Sequence, residues 1–262
     1  MHWHLGTMGF GYKQWAGVFY PPDVRPADYL AFYGRWFEAV ELDTTFYATP
    51  PPGRAARWAD VVPADFRFCA KVPKQVTHEL PTALAVREFH AFVDAMRPMG
   101  EKLAAVLLQF APSFGIDAFD KVKALLAEAP PGVRVAVEFR DRSWGTSRTL
   151  DLLRRHNAAL VAAEYTTLPR VVHATSDFLY VRWIGEHDRF PDMNAEKVDM
   201  SDRLKLWREK IAAAEGGPVT DVYGFFNNDY AGYAVATCET FKRMLGLPVG
   251  LRDVPPAGGL FG

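Results

Sequence analysis

From Trp3 to Leu245 the chain keeps one rhythm: a short run of apolar and β-branched residues, a polar break, then a stretch with apolar residues at helical spacing. Strand candidates fall at about residues 3–7, 39–43, 66–72, 104–110, 133–140, 160–164, 179–183 and 222–226. Most are followed by a helix candidate, at about 27–37, 84–96, 118–129, 149–156, 201–214 and 231–245, with another around Ala55, Ala56 and Trp58. Nothing linker-like or of low complexity interrupts the series. Eight alternating units of this kind suit a closed parallel (β/α)8 barrel, for which about 250 residues is usual. The expected fold class is therefore α/β: a single TIM-like barrel over residues 1–250, with a tail at 251–262 where Pro255, Pro256, Gly258 and Gly259 gather. A doubly wound open sheet is the alternative. The eighth unit counts against it, as does the absence of a dinucleotide fingerprint. The stretch Gly6-Thr7-Met8-Gly9-Phe10-Gly11 is glycine-rich but matches neither that motif nor a phosphate loop.

The run Val133 to Arg140 shows how such a strand presents its side chains. Alternation places Val135, Val137 and Phe139 on one face and Ala136, Glu138 and Arg140 on the other. The first face is apolar throughout and suits a cover of helices. The second starts small and ends in a carboxylate and a guanidinium, as expected of an interior face that carries a site at its C-terminal end. The same design recurs. The inward register of the other strand ends supplies Glu41, Lys71 and Gln109, then Arg182 and Asn227.

A barrel centre normally fills with branched apolar side chains. Burying one ion without a partner costs several kcal/mol. A polar layer here therefore either pairs internally or serves a ligand at the C-terminal mouth. Glu41 and Glu138 are candidate acid/base groups. Lys71, grouped with them as catalytic, also joins Arg140 and Arg182 in a cationic set suited to phosphate or carboxylate. Three cations against two inner glutamates leave the layer slightly positive. The competing reading is that the glutamates only neutralise these cations.

Loops add further candidates. His78 follows the third strand, and Asn227-Asn228-Asp229 precedes the last helix, where it can cap the N-terminus or offer N–H groups to an anion. Tyr12, Trp15, Phe46, Tyr47 and Trp144 all follow strand ends. They suit either stacking on a ring or packing over the barrel rim. No cluster has metal-ligand spacing, although Glu41, Asp43, Glu138 and Glu164 are oxygen donors that suit a hard cation. The interleaved cations argue against that, and no cofactor is expected.

A net charge of −1 does not suggest a nucleic-acid partner or an anionic membrane surface. The two cysteines, Cys69 and Cys238, have no zinc or redox spacing and read as buried thiols. With no signal peptide at Met1 to Gly6 and no membrane-length apolar run, the expected compartment is the cytoplasm.

Seven ordered motifs resemble those of a known family. Gly6-Thr7-Met8-Gly9-Phe10-Gly11-Tyr12-Lys13-Gln14-Trp15, followed by Phe19-Tyr20-Pro21, is similar to its opening Gly-Thr-Ser-Gly-Trp-x-Tyr-x-x-Trp. Val40-Glu41-Leu42-Asp43-Thr44-Thr45-Phe46-Tyr47 resembles Val-Glu-Ile-Asn-Ser-Ser-Phe-Tyr. Lys71-Val72-Pro73 with Thr77-His78, and the run Leu108 to Phe114, match next. Glu138-Phe139-Arg140 with Ser143-Trp144, Tyr180-Val181-Arg182 and Phe226-Asn227-Asn228-Asp229 complete the order. The family is the YecE-like one, domain of unknown function 72, and the resemblance runs from about Leu5 to Cys238. It implies a TIM-like barrel and supplies no reaction. Met8, Phe10 and Asp43 stand where the family has Ser, Trp and Asn, and a His-Gly pair common near Gly185 is missing.

The function expected is that of a metal-independent barrel enzyme, a hydrolase or isomerase, acting on a small anionic sugar- or nucleotide-like molecule by carboxylate acid/base chemistry. Lys71, Arg140 and Arg182 would hold the anion, Gln109 and Asn227 would orient it, and Asn228, His78, Tyr12, Trp15, Tyr47 and Trp144 would complete the mouth. Two alternatives stay open: a non-catalytic sensor of the same ligand, and a nucleic-acid-processing enzyme. Oligomeric state is not legible.

Overall fold

The computed structural model describes residues 1–165, 168–214 and 217–253. Nine parallel strands are found among them: β1 (His2–Met8), β2 (Ala39–Leu42), β3 (Arg67–Lys71), β4 (Leu103–Gln109), β5 (Val135–Glu138), β6 (Ala159–Leu160), β7 (Ala162–Glu164), β8 (Phe178–Trp183) and β9 (Asp221–Phe226). They form one sheet in the order β6-β5-β4-β3-β2-β1-β9-β8-β7. Its two ends, β6 and β7, flank Val161, so the sheet curls into a nearly closed barrel. The count is nine instead of eight because the sixth strand is split. Ala159 and Leu160 pair with Ala136 and Val137 of β5, whereas Ala162 to Glu164 pair with Val181 to Trp183 of β8.

The principal helices are α1 (Tyr29–Gly34), α2 (Arg54–Asp60), α3 (Thr82–Met96), α4 (Phe119–Ala127), α5 (Ser147–Arg155), α6 (Ser201–Ala212), α7 (Asn228–Ala231) and α8 (Ala234–Met244). The helix expected at 231–245 is interrupted at Gly232, whose φ of 100° lies in the left-handed region. Most of the expected tail, from residue 254, lies outside the described residues. No helix among the described residues is long and apolar enough to cross a membrane.

Alternation sorts the strands into two layers, as the pattern requires. Val40, Val106, Val135, Val137, Val181 and Trp183 join the layer beneath the helices. Met8, Cys69, Leu107, Ala136, Tyr180 and Phe225 fill the interior. At Gly6 β1 approaches β2 closely: a Cβ there would lie 1.8 Å from the Ala39 carbonyl oxygen and 2.7 Å from the Tyr33 hydroxyl. Gly6→Ala is therefore expected to destabilise the fold by about 1–3 kcal/mol through overpacking. A urea titration checks this, and an unchanged midpoint would contradict it.

Candidate functional site

Three strand ends converge inside the barrel on one guanidinium. Arg182, at the end of β8, donates from Nε and Nη2 to the two oxygens of Glu41 on β2, at 3.0 and 2.7 Å. Its Nη1 donates to Glu138 Oε2 on β5 at 2.5 Å. Tyr180, two residues earlier on the same inward face, adds its hydroxyl to Glu41 at 2.7 Å. Glu138 also accepts from Arg140 Nε at 2.8 Å. The side chains of Glu41, Glu138 and Arg182 are 0%, 1% and 4% exposed. In this conformation, then, neither glutamate presents an oxygen to solvent, and Arg182 is consumed by both. The expectation that Arg182 would grip a ligand and that the glutamates would touch it directly does not fit this geometry; they form a buried floor.

The two carboxylates are not equivalent. Burial, with Asp43 nearby, outweighs Arg182 and pushes Glu41 up to about 7. Burial opposes the charge on Glu138 too, but Arg182 and Arg140 together outweigh it and draw the group down to about 2. One group thus sits near its protonation midpoint at neutral pH while the other stays ionised.

Above the floor lies Lys71, at the end of β3 and 9% exposed. The turn Thr44–Phe46 sets its surroundings. Thr45 donates to the carbonyls of Leu42 and Lys71 at 2.8 and 2.6 Å, which pins that turn to the end of β3. The Phe46 ring then lies 3.9 Å below Lys71 Nζ. No carboxylate lies within ion-pair distance of Nζ among the described residues. Burial, followed by the nearby Arg182, holds the amine below the ordinary lysine range. Arg140 is 18% exposed at its side chain and lies over the Tyr165 ring at 4.6 Å. Asp43 is 32% exposed, and its Oδ1 stands 3.8 Å from Arg182 Nη2 with no hydrogen-bond partner among the described residues. His78 meets Phe46 edge-on at 5.4 Å and bonds Thr77 Oγ1 at 2.7 Å. Burial, Lys71 and Arg140 lower its proton affinity. Tyr47 is 72% exposed.

Other expected positions go elsewhere. Trp15 is fully buried, edge-on to Phe19 and Tyr233. Trp144 stacks on Phe139 at 4.0 Å and donates Nε1 to the Phe114 carbonyl. Holding either ring in reserve for a guest would forgo roughly 4–6 kcal/mol of burial, so packing over the rim wins. Tyr12, half-buried, donates its hydroxyl to the Met8 carbonyl. Gln109 donates to the Phe110 carbonyl and is 5% exposed. Asn227 caps the short α7 by accepting from Asp229 N, and the buried Asn228 accepts from Ala234 N at the start of α8. Both therefore act as caps. Glu164, considered above as a cation ligand, is turned away from this layer; it accepts from Trp207 Nε1 and Tyr230 instead.

Asp43, Phe46 and Tyr180 belong to the constellation although only their facing or loop position was legible. Inward alternation on β2 and β8 carries the signal for Asp43 and Tyr180. For Phe46 it is the position directly after a strand end.

A family model described as "Protein of unknown function DUF72" matches residues 4–258. The UPF0759 protein YunF of Bacillus subtilis (strain 168) is 31% identical over 271 residues, covering 93% of this chain and 94% of the relative. The UPF0759 protein YecE of Escherichia coli (strain K12) is 30% identical over 208 residues, covering 70% and 74%. A crystal structure of a DUF72 family protein from Thermotoga maritima MSB8 aligns with a TM-score of 0.78 at 29% identity, over 94% of this chain and 100% of that one.

Proposed function

The chain belongs to the DUF72 family, and from that premise we propose that its barrel mouth binds a small anionic molecule, sugar- or nucleotide-like, and turns it over by proton transfer as a hydrolase or isomerase. The observation that carries this reading is Lys71. Its ammonium is nearly buried, rests on an aromatic face and makes no ion pair among the described residues, with Asp43, Glu41 and Glu138 favouring its charge only from farther off. Such a group costs several kcal/mol unless an anion completes it. Arg140, partly exposed and bonded to Glu138, supplies a second, planar donor for phosphate or carboxylate. Glu138 stays charged and fixes both arginines. Glu41 is the group that exchanges a proton near neutral pH, because its environment and that of Glu138 are pushed apart.

Binding without turnover is the second reading, and one observation favours it: both glutamates are sealed beneath Arg182. A thermal-shift panel of phosphorylated sugars, nucleotides and sugar acids tests the anion half. A ligand at 100 times its Kd adds about 2.7 kcal/mol, which is roughly 5–10 °C for a chain of this size. Any hit is then incubated with the protein and followed by NMR. Product formation supports the enzyme, and a ligand recovered unchanged supports the sensor. A panel with no shift removes both.

A further inference from the structure

We infer that Lys71 is a nucleophile: its Nζ adds to the carbonyl carbon of an aldehyde or ketone bearing a carboxylate or phosphate, forming an imine above the Phe46 ring. This deepens the reading of the mouth as an anion site and rests on it. With Glu41 and Glu138 sealed, Lys71 is the amine that the mouth offers among the described residues.

The other buried or half-buried lysines are all engaged. Lys242 is paired with Glu38 at 2.7 Å, and Lys74 with Glu79 at 3.1 Å. Lys102 donates to the carbonyls of Ala59 and Val62, and Lys121 to that of Leu80. Lys71 Nζ has no carboxylate or carbonyl acceptor among the described residues. A lysine that is desolvated and stands near another cation yields its proton more readily, and the free amine is what attacks a carbonyl. Burial and Arg182 provide these two conditions. The substrate's anionic group falls to Arg140, which is partly exposed and, like Lys71, acts on His78.

The balance closes without an external reductant or oxidant. The nitrogen lone pair forms the new C–N bond and the carbonyl π pair moves to oxygen; the oxygen takes a proton and the nitrogen gives one up, which leaves a neutral carbinolamine. Loss of the amine hydrogen and of that hydroxyl, protonated a second time, releases water and leaves a C=N double bond. One proton on the imine nitrogen restores the positive charge. Asp43, partly exposed at the mouth, is placed to exchange these protons with solvent. The protonated imine keeps a cation over the Phe46 face, where the ammonium already sits, so the ring stabilises reactant and intermediate alike.

The test is reductive trapping on the full chain. The protein is incubated separately with pyruvate and with dihydroxyacetone phosphate, treated with borohydride, and mapped by tandem mass spectrometry. Hydride addition to the imine carbon leaves a stable secondary amine. The expected result is an adduct on Lys71 in clear excess over that on the half-buried, ion-paired Lys74, because desolvation leaves more of the Lys71 amine free. Lys71→Arg keeps the charge and removes the nucleophile. It should lose the adduct while labelling of Lys74 stays at the parent's level. No enrichment at Lys71 with either probe overturns the imine. If phosphate still stabilises the parent protein in that case, the anion reading survives alone; if it does not, both fall.

Discussion

Replacing Arg182 with methionine is expected to cost about 3–5 kcal/mol of folding stability, because it strands two buried carboxylates that share this one guanidinium. The pH dependence separates that cause from lost packing. Glu138, held at about 2 against 4.5 for the unperturbed group, adds stability that is fully present above 4.5 and is lost as pH falls toward 2. Glu41, held at about 7, does the reverse. The folded chain keeps a proton that the unfolded chain has released, so stability is lost as pH rises from 4.5 toward 7. Without Arg182, Glu138 loses the larger of its two cationic influences and moves in the direction of Glu41. The deficit of the variant should therefore be greatest at neutral pH and should narrow on acidification toward about pH 5. Guanidinium denaturation at several pH values measures it. A deficit that is the same at every pH would mean that the guanidinium contributes shape and not charge.

Lys71→Met is expected to act in opposite directions on binding and on stability. Methionine keeps an apolar stem over Phe46 and removes a desolvated ammonium that makes no ion pair among the described residues, so the empty protein should gain about 1 kcal/mol or more. The same change removes a charge-assisted bond to the ligand, and affinity for any anion found in the thermal-shift panel should fall roughly 10- to 100-fold. Titration calorimetry and a denaturant melt on one preparation check both halves. A variant that is less stable, or that binds as tightly as the parent, would contradict the assignment of Lys71 to the ligand. Stability given up at one residue in exchange for recognition is the usual mark of a binding site.

Much of this was legible in the chain because alternation depends only on neighbouring residues. It placed Val135 and Val137 beneath the helices and set Glu41, Lys71, Gln109, Glu138 and Arg182 on the inner face. What alternation cannot give is depth or the partner across the barrel. Glu41 and Arg182 are 141 residues apart, and only closure of the ring makes one guanidinium serve both glutamates. The loop aromatics were ambiguous for the same reason: Trp15 and Trp144 follow strand ends, but long-range packing decides whether such a ring faces the mouth or the helices. The split at Val161 was equally hidden, since the run Leu160 to Glu164 is uniformly small and apolar up to its last residue.

That split gives the cylinder a seam. Elsewhere around the described ring each strand is laced to its neighbours on both sides, but β6 holds only to β5 and β7 only to β8. Across this line the wall is spliced by covalent backbone, with no ladder of amide bonds. Ala163, just past the splice, lies opposite Arg182 in the register of β8. The least reinforced stave of the barrel thus stands beside the one that carries Arg182.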